Sequence, residues 1–109
     1  MPIFITQGRY TQDAIKGMLA KPDDREAALR LLAEKAGAKI LAYYMTLGEY
    51  DFIVIYEGPL ENAAIPAIVT TAGGGVTGLK TTLAMTTAEM KDAFAKAGAL
   101  AASFKSAGQ

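Results

Sequence analysis

Residues 40–57 read ILAYYMTLGEYDFIVIYE, and their reading decides the fold. Two apolar runs, Ile40–Leu47 and Phe52–Tyr56, flank Gly48-Glu49-Tyr50-Asp51. β-Branched and aromatic residues suit a pleated, half-buried surface, and a short polar Gly/Asp segment suits chain reversal. The stretch therefore predicts a β-hairpin. A lone hairpin is marginal in water, so other elements have to cover it. Strict alternation places Ile40, Ala42 and Tyr44 on one side of the first run, and Leu41, Tyr43, Met45 and Leu47 on the other. The second run sets Phe52, Val54 and Tyr56 against Ile53 and Ile55. A strand with one wet face alternates apolar with polar residues, and neither run does. Both faces of the hairpin call for a cover.

Outward from the hairpin, the chain supplies that cover on one side. Ile3–Tyr10 is a strand-like run behind Pro2, which can start a strand without losing a needed donor. Thr11 is a good N-cap for a helix over 12–20, with Asp13 in its first turn and Ile15, Met18 and Leu19 on one face. Pro22 disfavours a helical Lys21, and an Asp restarts the helix, which runs from Arg25 to Ala36. Leu29, Leu32, Ala33 and Ala36 form its inner stripe, while Glu26, Arg30 and Glu34 form a solvated ladder. Gly37 stands where a helix-ending glycine belongs. The hairpin strands then cover 38–47 and 52–57, and Gly58-Pro59 closes the second.

A further helix is expected within Leu60–Ala72, with Ile65, Ile68, Val69 and Ala72 as its stripe. Pro66 should bend its first turn or delay its start. Gly73-Gly74-Gly75 ends it, and a Thr-rich strand follows over 76–85. Thr86 and Glu89 match a capping box ahead of a last helix over about 87–104. Met90, Ala93, Phe94, Ala97, Ala101 and Phe104 line one face of it, and the tail 105–109 should fray.

The order is β-α-β-β-α-β with a split first helix and an extra C-terminal helix. It predicts one α+β domain over 1–109, ferredoxin-like, with an antiparallel four-stranded sheet and helices on one face. The other apolar face is larger than a soluble monomer usually leaves wet. At about 25 cal/mol per Å² of apolar area, covering it with a second copy is favourable, so a homodimer packed sheet to sheet is expected. The alternative is that the C-terminal helix folds back over its own sheet.

Composition removes whole classes of function. The formal net charge is zero, without the positive surplus that phosphate backbones or anionic membrane surfaces attract. Neither nucleic acid nor membrane is an expected partner. The chain has no Cys and no His, which excludes the usual zinc sites, thiol redox, Cys nucleophiles, Ser-His-Asp triads and haem on an axial His or Cys. No metal and no cofactor is expected. Met1-Pro2-Ile3 leads straight into a strand-like run, without a basic segment and apolar stretch behind it. With no disulfide framework available, the expectation is a soluble cytoplasmic protein.

Four residues are ligand-pocket candidates: Tyr50, Asp51, Tyr44 and Arg25. Tyr50 and Asp51 could orient a ligand or move a proton at the hairpin end. Turn chemistry also explains the segment, with Gly48 at positive φ, Asp51 bonding backbone amides and Tyr50 packing at the sheet edge. Tyr43, Tyr44 and Tyr56 sit on central strands, where aromatics are ordinarily core. A tyrosine hydroxyl reaching into a cavity would be a natural ligand contact. Arg25, at a helix start, opposes the helix dipole and so predicts a carboxylate partner, for which the hairpin turn is the candidate. Lys39 and Lys80 read as solvated strand-edge residues. The glycine run 73–75 follows a helix and enters a strand, the reverse of a phosphate loop.

Taken together, Arg25, Gly37, Leu47-Gly48-Glu49-Tyr50-Asp51, Glu57 with Pro59, and the glycine turn before a Thr-rich last strand resemble the GYD domain family over about Ile3 to Met90. Leu60-Glu61 stands where that family carries an acidic pair. The resemblance implies a bacterial ferredoxin-like domain of the dimeric α+β barrel kind, without an established activity. Three functions are compatible: a small homo-oligomeric protein binding a small, mostly apolar ligand between or beside its sheets; a cofactor-independent oxygenase or isomerase, with Asp51 or a cavity Tyr as acid or base; and a structural assembly unit.

Overall fold

The computed structural model describes residues 1–108. Strands β1 (Ile3–Tyr10), β2 (Lys39–Met45), β3 (Phe52–Glu57) and β4 (Val76–Ala84) form one sheet in the order β2-β3-β1-β4, with every neighbouring pair antiparallel. Helices α1 (Gln12–Ala20) and α2 (Arg25–Lys35) join β1 to β2, and α3 (Ile65–Ala72) joins β3 to β4. Helix α4 (Thr87–Ala101) follows the last strand. This is the ferredoxin-like arrangement that the element order predicts.

Local chemistry accounts for most boundaries. The Thr11 hydroxyl accepts the Ala14 amide at 3.2 Å, and the Asp24 carboxylate accepts the Glu26 amide at 3.0 Å, so α1 and α2 both begin on a side-chain cap. Gly37, just beyond α2, has φ 74°, which an L side chain would resist. Pro66 acts by delaying the helix. The chain first makes a 3₁₀ turn at Leu60–Asn62, and α3 starts at Ile65 with Pro66 in its first turn, where the missing N–H costs nothing. Thr86 and Glu89 form both bonds of the capping box, at 3.1 and 3.0 Å. Gly48 departs from expectation, because the hairpin is made without a positive φ there.

The core lies on one face of the sheet. Phe4, Phe52, Val54, Tyr56 and Ile40 pack there against Ala33 of α2, with the Phe4 and Tyr56 rings stacked 5.5 Å apart. A bulge corrects the strict alternation expected of β2. Its register against β3 shifts between Ile40 and Ala42, so Ile40 and Tyr43 both face the helices, while Ala42 and Tyr44 pair with Ile55 and Ile53 on the other face. A second shift lies between Gln7 and Arg9 of β1, opposite Gly78, whose φ is 61°. Gly8 sits at that point because nothing larger fits. A Cβ there would lie 2.5 Å from Leu79 Cδ2 and 2.8 Å from Phe52 Cζ.

Two expected helix stripes are reversed or weak. α3 turns Pro66, Ala67 and Thr70 towards the sheet and leaves Ile65, Ile68 and Val69 exposed. α1 buries no residue, and Leu19 is 77% exposed. In α3 the small residues seat against the sheet while the large apolar ones point outwards, a choice that periodicity cannot make. α4 does not fold back over its own sheet: it ends at Ala101, all its residues are exposed, and it gives the molecule a 61 Å long axis. The helix-free face keeps Ile5, Ile53 and Ile55 half-buried and Tyr44 65% exposed. Lys105–Gly108 adopt neither helix nor strand, and Gln109 lies outside the described residues. Among the described residues, no helix is long and apolar enough to cross a membrane.

Candidate functional site

Between the sheet and helices α2 and α3 lies a cavity of about 150 Å³. Small residues on the helices make the room: Ala28 and Ala33 on α2, and Ala67 on α3. Leu29, Leu32, Val54 and Leu79 supply most of the apolar wall. The β2 bulge turns Tyr43 into this space, and Tyr10, at the end of β1, meets it there. Their hydroxyls are hydrogen-bonded at 2.5 Å, and the Phe52 ring lies against both, at centroid distances of 5.1 and 6.3 Å.

Burial pushes the Tyr10 hydroxyl well above its ordinary value of 10.0, and the hydrogen bond from Tyr43 adds to the effect. The Arg25 guanidinium pulls weakly the other way. Tyr10 is therefore a neutral hydroxyl at physiological pH. The remaining polar groups of the wall are already engaged. Thr6 shares a 2.9 Å hydrogen bond with Thr81, Tyr56 makes long 3.5 Å contacts with Thr6 and the Ala63 carbonyl, and Thr70 donates to the Pro66 carbonyl at 2.7 Å.

Beside the cavity is an open cleft of about 480 Å³, walled by α1 and the end of α3. The two spaces share Tyr10, Arg25, Thr70 and Val76, so these four side chains stand between them. Lys21 and Asp23 line the cleft as well. Its position makes it the approach to the cavity.

The four residues singled out from the sequence do not converge. Arg25 alone of them lines the cavity and the cleft, and its carboxylate partner is Asp23, at 3.3 Å, not the hairpin turn. Asp51 accepts the Tyr10 backbone amide at 2.9 Å, while its own amide bonds the Gly8 carbonyl at 2.8 Å, so it ties the hairpin to β1. Tyr50 lies beneath the Arg9 guanidinium, 5.1 Å from ring centroid to Cζ. Tyr44 is on the helix-free face. Of the central tyrosines, Tyr43 and Tyr56 reach the cavity. Tyr10 was not foreseen. Its signal was parity, since it continues the Phe4, Thr6, Gly8 series on the face that the helices cover.

Comparison with known proteins sets this geometry in context. The crystal structure of FFRP-DM1 matches with a TM-score of 0.48 and 16% identity, over 78% of this chain and 100% of that one. A protein of Thermus thermophilus named glutamine synthetase and cystathionine beta-lyase binding protein is 31% identical over 67 residues, covering 62% of this chain and 68% of its own. The family model of the GYD domain matches residues 4–94. That span takes in all four strands, the hairpin, the cavity-lining helices and the start of α4, and the protein belongs to the GYD domain family.

Proposed function

We propose that this chain is a homo-oligomeric binding protein whose helix-side cavity takes a small, mostly apolar ligand. The observation that carries the reading is the cavity itself: about 150 Å³, walled by aliphatic and aromatic side chains, with the hydrogen-bonded pair Tyr10 and Tyr43 in its wall. Apolar cavities of roughly this size take a guest the size of benzene. The cavity lies beside the sheet, with the chain's own helices supplying its other wall.

Assembly rests on a separate observation. Ile5, Ala42, Tyr44, Ile53 and Ile55 share a face with no helix over it, and α4 carries Phe94 and Leu100 exposed. A second copy is the cover that this pattern suits best. A second reading, of protein partners, is favoured by the Thermus thermophilus relative, which is named for binding two enzymes. The exposed Ile65, Ile68 and Val69 of α3 would suit such docking. A bacterial cytoplasmic setting agrees with a chain free of cysteine.

The test is a titration with toluene followed by amide NMR, in the natural chain and in Ala67→Phe, which fills the cavity. Shifts around Tyr10, Leu29 and Tyr43 that vanish in folded Ala67→Phe are expected. Shifts that persist in that variant, or none in the natural chain, overturn the reading. Sedimentation of the natural chain against Ile53→Glu tests assembly independently, with dissociation expected of the variant.

A further inference from the structure

We propose that the ligand is a small carboxylate: an apolar body of about ring size within the cavity, and an anionic head at its mouth, held by Arg25 and the Tyr10–Tyr43 pair. The inference rests on the cavity being a binding site and names the chemistry of what it binds.

The argument is a count of hydrogen-bonding capacity at the mouth. When two tyrosine hydroxyls bond to each other, one proton is used and one is left over. The leftover proton can only donate, so the group that meets it must be an acceptor. Arg25 lines the cavity with this pair and, with Tyr10, the cleft beside it. A guanidinium carries five N–H donors and no acceptor, and the structure engages one of its nitrogens, Nη1, with Asp23 at 3.3 Å. That pair is half exposed, with relative side-chain exposures of 42% and 51%, so a better-placed anion can displace or share it. Lys21 adds a second positive charge to the cleft, leaving two cations against the one carboxylate of Asp23. Asp51 accepts the Tyr10 amide and lines neither space.

The inventory discriminates between ligand classes. A hydrocarbon would make no use of the spare tyrosine proton or of the Arg25 donors. An amine would meet two cations. A carboxylate accepts from the hydroxyl and the guanidinium together, and Arg offers the planar fork that such groups fit. Size sets the other limit, because about 150 Å³ admits one ring and not two.

The experiment compares benzoate, benzamide and benzylamine by calorimetry and amide NMR, with Arg25→Gln and Tyr10→Phe beside the natural chain. Benzoate is expected to bind about tenfold tighter than neutral benzamide, the scale of a charge-assisted hydrogen bond. Benzylamine is expected to be weakest. In Arg25→Gln the preference for benzoate over benzamide should fall to about twofold or less. Arg25→Lys, which keeps the charge without the fork, should lie between, and guards against a folding defect in the Gln variant. In Tyr10→Phe the preference should shrink as well. Equal binding of benzoate and benzamide, with shifts at Tyr43 and Leu29, overturns the carboxylate inference and leaves the cavity reading standing. No shift at cavity residues with any of the compounds, toluene included, overturns both.

Discussion

Phe52 and Phe94 are the same residue in opposite circumstances. Phe52 is 6% exposed, wedged between the Tyr10 and Tyr43 rings at the centre of the sheet's covered face, while Phe94 is 71% exposed on α4. Both sit in elements with sound local signals. The hairpin has its β-branched runs, and α4 has a complete capping box and an apolar period. The difference lies in what each element meets. β3 is hydrogen-bonded to β1 and β2 and lies under α2, so its apolar residues find partners far away in sequence. α4 meets no comparable surface within its own chain. Local signals make an element, and only a complementary surface makes it part of a core.

The largest test of that contrast is truncation of each ring. Phe52→Ala should cost about 3–5 kcal/mol in denaturant unfolding, the transfer and cavity terms together. Phe94→Ala should stay within about 0.5 kcal/mol in dilute protein, as for an exposed site. A loss that appears for Phe94→Ala only at high protein concentration would sharpen the comparison by showing that a second chain buries it. Equal losses in dilute protein would break it.

Gly8→Ala comes next. The added methyl collides with Leu79 and Phe52 inside the core, and overpacking of this kind costs about 1–3 kcal/mol. A neutral result in the same unfolding assay would mean that the bulge can relax. Gly98→Ala is its control, since a Cβ there meets nothing within 4 Å and a helix interior favours Ala.

Asp51→Ala should lose about 1–2 kcal/mol, because the Tyr10 amide is left without its acceptor. Unchanged stability would instead make the carboxylate dispensable to the fold. Tyr10 itself adds a pH signature. Its folded pKa is raised above the unfolded value, so its contribution is fully present below about pH 10 and is lost as pH climbs through the folded value. Tyr10→Phe should remove that alkaline decline from the unfolding curve.

The smallest effect is expected at the start of α4. The bonds from Thr86 hold the Glu89 carboxyl below its ordinary value of 4.5, so the capping contribution is present above that pH and lost as pH falls. Thr86→Ala should speed amide exchange in the first turn of α4 without moving global unfolding. A global shift would show that α4 is coupled to the sheet after all.

Much of the fold was legible because short-range chemistry decided it. Thr11, Asp24 and the Thr86–Glu89 box cap the helices that follow them, and β-branched and aromatic runs about a short polar turn favour a hairpin. The order of these elements then leaves few topologies. The site was far less legible. Asp51 suits either a pocket acid or a carboxylate bonding backbone amides, and the structure shows the second, with the Tyr10 amide of β1 as donor. Arg25 was found because a cation at a helix start is locally anomalous, though its partner proved to be Asp23.

By itself, then, the order of apolar runs, caps and glycines determined the strands, the helices and the antiparallel ferredoxin-like arrangement, since each boundary depends on neighbours a few residues away. The tertiary structure alone decided that Tyr43 swings to the helix side through a bulge, that Tyr10 meets it, that small residues of α2 and α3 leave a cavity over them, and that α4 stands clear. Those outcomes depend on register and on which helix face seats against the sheet, and both are settled by packing between segments that are distant in sequence.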